Sequence, residues 1–189
     1  MSLRESKRAE TERRILAAAR RAFLQEGVDG ASMTGIASEA GVSRATLFNY
    51  FAGKPALLGA LAASLETRLA GTVAHYRSRE PDAAEALMAL FGRAAAVLEQ
   101  TAALTRLLLV HCGSEQGFPS LLAEFRLLVQ TGQASGQWRR DIDAEAMADA
   151  LHQAFLASLL GWCRRPELSL AEEFRSRAAA LARLLAAPV

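Results

Sequence analysis

The chain has 189 residues, with 22 Lys or Arg, 20 Asp or Glu and 51% hydrophobic residues. That apolar content supplies a core and excludes an intrinsically disordered chain, while the length suits one ordinary domain or a small one joined to a larger. The net charge of +2 is unevenly spread: residues 1–60 hold nine Lys or Arg against six Asp or Glu, and residues 61–189 hold thirteen against fourteen. A mildly basic head on a neutral body is compatible with nucleic-acid binding, although four charges alone are weak support for it.

Two distant cysteines, Cys112 and Cys163, form no CxxC pair, so reduced thiols are expected rather than a disulfide framework. The stretch from Met1 to Arg14 is charged and has no apolar segment of the secretory kind. The longest apolar run, 101–113, is broken by Arg106 and falls short of the roughly 18 residues that a membrane helix needs. A soluble, cytoplasmic protein with no membrane partner is expected.

Strand signals are nearly absent, and Ala and Leu dominate, so an all-α fold is predicted. The first helix runs from about Lys7 to Glu26, with an apolar stripe of Ile15, Ala18, Ala19, Ala22 and Phe23. Gly27 is placed as its C-cap, with a loop from Val28 to Ala31. Ser32 caps a short second helix to Ala40, Gly41-Val42 makes a turn, and Ser43 caps a third helix from Arg44 to Tyr50. Gly53 ends it, and Lys54-Pro55 opens a long fourth helix to about Arg79. Five more follow: Pro81-Asp82 to Gln100, Ala102 to Cys112, Pro119 to about Gln133, Asp143 to Cys163 and Leu170 to Ala186. Loops are expected at 113–118, along the polar stretch to Asp141 and at Arg164-Arg165-Pro166. Two domains are expected, a helix-turn-helix domain at 1–53 and an all-helical regulatory domain at 54–189.

The informative stretch is 32–51. Two short helices joined by a tight turn leave Ala37 small for close approach, Gly41 permissive at the corner, and Ile36, Val42 and Leu47 apolar in the angle. Arg44, Thr46, Asn49 and Tyr50 are left on a short helix sized for a DNA major groove.

Three segments, TERRILAAA from Thr11 through to Phe23, TGIASEAGVSRATLFNYF from Thr34 to Phe51, and KPALL from Lys54, resemble the N-terminal domain of TetR/AcrR-type repressors. The likeness covers about residues 10–62; the remainder resembles the family only in length and helical character. It implies DNA contacts by Thr34, Ser43, Arg44, Ala45, Thr46, Asn49 and Tyr50, and a backbone contact by Lys54. Phe48 stands where the family often has a phosphate-binding Tyr, and Gly35 where a polar residue is usual; each removes a contact. Plainer readings stand beside these: Tyr50 packing on the first helix, Arg44 and Lys54 as solvated surface residues, Ser43 and Thr46 as caps. Arg13, Arg14, Arg20 and Arg21 read as a solvated face, and Arg4, Lys7 and Arg8 as an arm adding nonspecific attraction.

In the body, Phe91, Leu98, Leu107, His111, Phe118, Phe125 and Trp162 are candidate linings of an apolar effector pocket, the alternative for each being plain core. His111 beside Cys112 is either a polar or redox point or a structural pair. Met147, Leu151, Phe155 and Leu159, then Phe174, Ala178 and Leu181, are candidates for a homodimer interface, the alternative being intrachain core. No catalytic or metal-binding motif occurs, so neither an enzyme nor a cofactor or metal is expected. The resulting expectation is a homodimeric repressor that binds a palindromic double-stranded operator and releases it on binding a small apolar or amphipathic effector. A ligand-independent or activating regulator of the same fold, and a sequence-tolerant architectural DNA-binding protein, stay open.

Overall fold

The computed structural model describes residues 2–77, 82–112, 118–165 and 167–187. Among them are nine helices and no strand: α1 Leu3–Gly30, α2 Met33–Glu39, α3 Arg44–Tyr50, α4 Lys54–Arg77, α5 Ala83–Gln100, α6 Ala102–Cys112, α7 Pro119–Ala134, α8 Ala144–Arg164 and α9 Leu170–Leu185. The starts follow from capping chemistry: Ser32, Ser43, Asp82, Asp143 and Ser169 each accept a backbone N–H of the first turn. Ser2 and Glu5 form a reciprocal capping box, which starts α1 four residues before the expected Lys7. The expected loop from Val28 to Ala31 is a correction. Gly27 does break the helix, at φ 72°, but Ala31 N–H returns to the Gly27 carbonyl and closes one more turn, through Gly30. Pro81, Pro166 and the 113–117 part of the expected loops lie outside the described residues, as does the Cys112 side chain.

The chain packs as two compact units, one of residues 1–64 with 103–113, the other of 65–102 with 114–189. In the first, Ile15, Ala18, Ala19 and Phe23 of α1 are buried with Ile36 and Ala37 of α2 and Leu47 of α3. In the second, α5 packs on α9 and α7, and α8 on α7 and α9. Each of those four helices supplies one phenylalanine to a common cluster. Phe91 lies 5.2 Å from Phe174, 5.6 Å from Phe155 and 6.0 Å from Phe125, ring centre to ring centre, and none of the four is exposed.

The dimer expectation for α8 and α9 needs correcting. Met147, Leu151, Phe155, Leu159, Phe174 and Ala178 are all buried inside this one chain, and Leu181 is half-buried. They are its core, and Ala150, Ala157, Ala180 and Leu184 lie on the outer faces instead. The polar stretch after α7 also hides a core residue. Trp138 is buried so close over Gly132 that a Cβ there would meet the indole at 2.8 Å. It bridges to Ala186, while Arg139 N–H donates to Leu185 and Ala187 N–H to Gln137, which fastens the end of α9 to this loop.

Candidate nucleic-acid interface

Local bonding fixes the corner between α2 and α3. Gly41 N–H donates to the Ser38 carbonyl and Val42 N–H to the Ala37 carbonyl, both at 3.0 Å, which is the paired bonding of a Schellman end. Gly41 takes the required left-handed backbone, at φ 64°. A Cβ there would also meet the Arg14 guanidinium at 2.9 Å. Arg14 is not simply a solvated residue: it donates through Nε to the Ala40 carbonyl at 3.1 Å and through Nη2 to the Gly41 carbonyl at 3.0 Å. Arg21 pairs with Glu39 of α2. Arg14, Ala18 and Arg21 fall at i, i+4 and i+7, one side of α1, and that spacing was the available signal that these arginines brace α2. Arg13, on another side, pairs with Glu10 at 2.7 Å, and this hydrogen bond holds the Glu10 carboxyl below its ordinary pKa.

On α3, Leu47 is fully buried, Thr46 and Tyr50 are half-buried, and Arg44, Ala45, Phe48 and Asn49 are exposed. At about 100° per residue those four occupy one continuous arc. The Ser43 hydroxyl caps α3 by accepting from Thr46 N–H at 3.0 Å and lies 2.8 Å from the Thr46 hydroxyl. Thr34 is exposed in the first turn of α2. The Gly35 N–H donates to the Ser32 hydroxyl at 3.0 Å. The Arg44 guanidinium sits 5.5 Å from the Phe48 ring centre, one turn away.

Tyr50 does lie against α1. The Arg8 guanidinium is 5.9 Å from its ring centre, and Arg4, Lys7, Arg8, Thr11, Asn49 and Tyr50 line one open cleft of about 420 Å³. Three cations of the arm thus gather at the end of α3, because α1 is already helical at Leu3. Lys54 is engaged inside the unit. Its ammonium donates to the carbonyls of Val28, Asp29 and Ala31 at 2.8, 3.2 and 3.2 Å, so all three of its hydrogens have acceptors at the end of α1.

The expected effector-pocket residues fall in different places among the described residues. Phe91 and Phe125 belong to the aromatic cluster, Leu98 and Trp162 are buried, and Phe118 is half-buried before α7. Leu107, half-buried, and His111, exposed, belong to the first unit. An open cleft of about 660 Å³ within the second unit is lined by Thr67, Arg68, Thr72 and His75 of α4 and by Arg93, Val97 and Gln100 of α5, among others. Elsewhere in that unit His152 is buried, its ring 6.3 Å from Phe125, with no hydrogen-bond partner at Nε2. Desolvation lowers its pKa, against the opposing charges of Asp149 and Glu66. No single helix among the described residues is long and apolar enough to cross a membrane.

Residues 15–61 match the family model of bacterial regulatory proteins, tetR family. No curated protein sequence matches the chain. Among solved structures, a Shewanella sp. PV-4 protein described as a tetR family transcription regulator is 26% identical, over 93% of this chain and 98% of that one, with a TM-score of 0.68. SmeT, the repressor of the Stenotrophomonas maltophilia multidrug efflux pump SmeDEF, is 20% identical over 94% and 92%, with a TM-score of 0.76. FadR from Bacillus subtilis, a transcriptional regulator solved with stearoyl-CoA, is 15% identical over 89% and 96%, with a TM-score of 0.73. The last two likenesses concern the fold.

Proposed function

The chain belongs to the tetR family of bacterial regulatory proteins, a family of transcription regulators, and from that premise we propose that it is a cytoplasmic homodimeric repressor that reads a palindromic operator with α3 and releases it when a small molecule binds. The observation that carries this is the exposed arc of Arg44, Ala45, Phe48 and Asn49 on a short helix whose other side is anchored by Leu47. Arg44 and Asn49 meet base edges, and Ser43, Thr46 and Thr34 place hydroxyls beside them. Tyr50 and the Arg4, Lys7 and Arg8 cluster meet backbone phosphate, giving the arm a defined place next to the reading helix. Lys54 acts as a positioning residue that ties the start of α4 to the end of α1.

One such helix reads few base pairs, and two copies about a helical turn apart supply the missing discrimination. The dimer contact falls to the outward faces of α8 and α9, around Ala150, Ala157, Ala180 and Leu184, the last of these 67% exposed. The effector enters the cleft along α4 and α5, where Arg68 and Arg93 offer charge beside Val97. A small-molecule switch is supported by regulators of this fold described as an efflux-pump repressor and as a stearoyl-CoA complex.

Selection of bound sequences from random DNA, followed by gel-shift titration, tests the reading. An inverted repeat should emerge. Arg44→Ala should weaken operator binding by roughly tenfold or more, and Tyr50→Ala should weaken it less, both with unchanged sedimentation of the dimer. Equal binding by wild type and both variants removes α3 as the reading helix. A steep salt dependence with no enriched sequence indicates a sequence-tolerant binder instead.

A further inference from the structure

Phe48 is 41% exposed on the outward arc of α3, at a place where a large apolar ring has nothing of its own unit to cover it fully. Measured around the helix from Arg44, at about 100° per residue, Phe48 falls near 40°, Ala45 near 100° and Asn49 near 140°. The middle of the arc is therefore apolar, and its two polar side chains stand at the rims. That arrangement is poorly suited to a face that only hydrogen-bonds. It matches the single apolar group a major groove displays, the C5 methyl of thymine.

We propose that Phe48, with Ala45 beside it, is a specificity-determining pair that selects thymine in each half of the operator by packing on its methyl group. This rests on the reading of α3 as the DNA-reading helix. Arg44 completes the arrangement. Its guanidinium packs one turn away over the Phe48 ring, 5.5 Å from its centre, which restricts its rotamers and presents its donor edge next to the methyl-reading ring. A guanine, whose N7 and O6 accept a bidentate arginine, is the base expected beside that thymine. The missing hydroxyl at Phe48 is thus an exchange of function: a group able to reach a phosphate, which carries no sequence information, gives way to one that reads a base.

The test uses the full-length protein and the operator obtained from random DNA. Each thymine is replaced in turn by deoxyuridine, which removes the methyl group and leaves every hydrogen-bonding atom in place. One methyl is worth roughly fourfold in affinity, so replacing the symmetry-related pair should cost roughly fifteenfold. In Phe48→Ala that sensitivity should vanish at the same position, while circular dichroism stays that of wild type because the side chain lies on the surface. Phe48→Leu, still apolar, should keep part of it. If an operator is enriched but no thymine responds to deoxyuridine, or if Phe48→Ala responds as wild type does, the thymine assignment falls and DNA reading by α3 stands. If no sequence is enriched, DNA reading falls and takes this assignment with it.

Discussion

The aromatic cluster of the second unit and α3 of the first spend their large side chains in opposite directions. In the second unit four phenylalanines from four helices turn inward on one another, none of them exposed. In the first unit α3 is only seven residues long, and one buried leucine anchors it while an arginine, an asparagine and a phenylalanine turn outward. A helix that short is not stable by its own hydrogen bonds. It is held by its neighbours: by Arg14 on the corner carbonyls, by the Schellman turn at Gly41, and by the Ser43 cap. Polar bracing leaves one side of the helix free, whereas an apolar core consumes every face it touches. On the proposed function, that difference separates the part of the chain that recognises from the part that endures.

The comparison can be broken most forcefully in the second unit. Phe91→Ala removes the ring that touches three others and should cost about 3–5 kcal/mol of stability, read by urea denaturation. A loss below about 1 kcal/mol would show that the cluster is not the centre of that core. Next comes Lys54→Met, which takes a charged donor from three carbonyls and should destabilise the first unit by about 2 kcal/mol. Operator affinity should then drop by the same factor at all salt concentrations. A salt slope reduced by about one would instead put the ammonium on phosphate.

Gly41→Ala should cost about 1–2 kcal/mol, through the left-handed backbone and the crowded Arg14 guanidinium, and Gly41→Asn should cost less, since Asn visits that region more readily. Thermal unfolding followed by circular dichroism measures both. The smallest effect is in pH. The folded-state pKa of His152 lies below the ordinary 6.5, so between the two values the unfolded chain binds a proton that the folded chain refuses. The stability of the second unit should be complete above about 6.5 and decline as pH falls below it. His152→Leu should flatten that decline, and an equal decline in the variant would remove His152 as its source.

Helix limits in the first unit were readable to within a residue at Ser32, Gly41 and Ser43, whereas the Ser2 cap starts α1 four residues before the expected Lys7 and one more turn follows the break at Gly27. Facing was harder to read. On α8 Ala148 is buried and Ala150 exposed, and Leu159 is buried beside half-buried Leu160. A helix rich in Ala and Leu on all sides carries little information about which side is inside, and that is how core residues came to be expected at a dimer contact. The Lys54 bonds were invisible for another reason: their acceptors are backbone carbonyls, which look the same in every sequence. Trp138 escaped because it sits in a polar stretch with no period around it. In the candidate site, the exposure of Arg44 and Asn49 on α3 was legible from their spacing. The joining of the Arg8 and Tyr50 side chains was not, since it depends on how α1 crosses α3.

The stacking of Trp138 over Gly132 has an optical consequence. The chain contains two tryptophans, Trp138 and Trp162; both are in the second unit and both are nearly inaccessible. Indole emission therefore watches that unit alone: its red shift on exposure to water marks the opening of the aromatic core, while the loosening of α1 to α3 stays dark in this channel. Followed together with helix content by circular dichroism, the emission distinguishes a chain that melts in one step from one whose helices α1 to α3 come apart first.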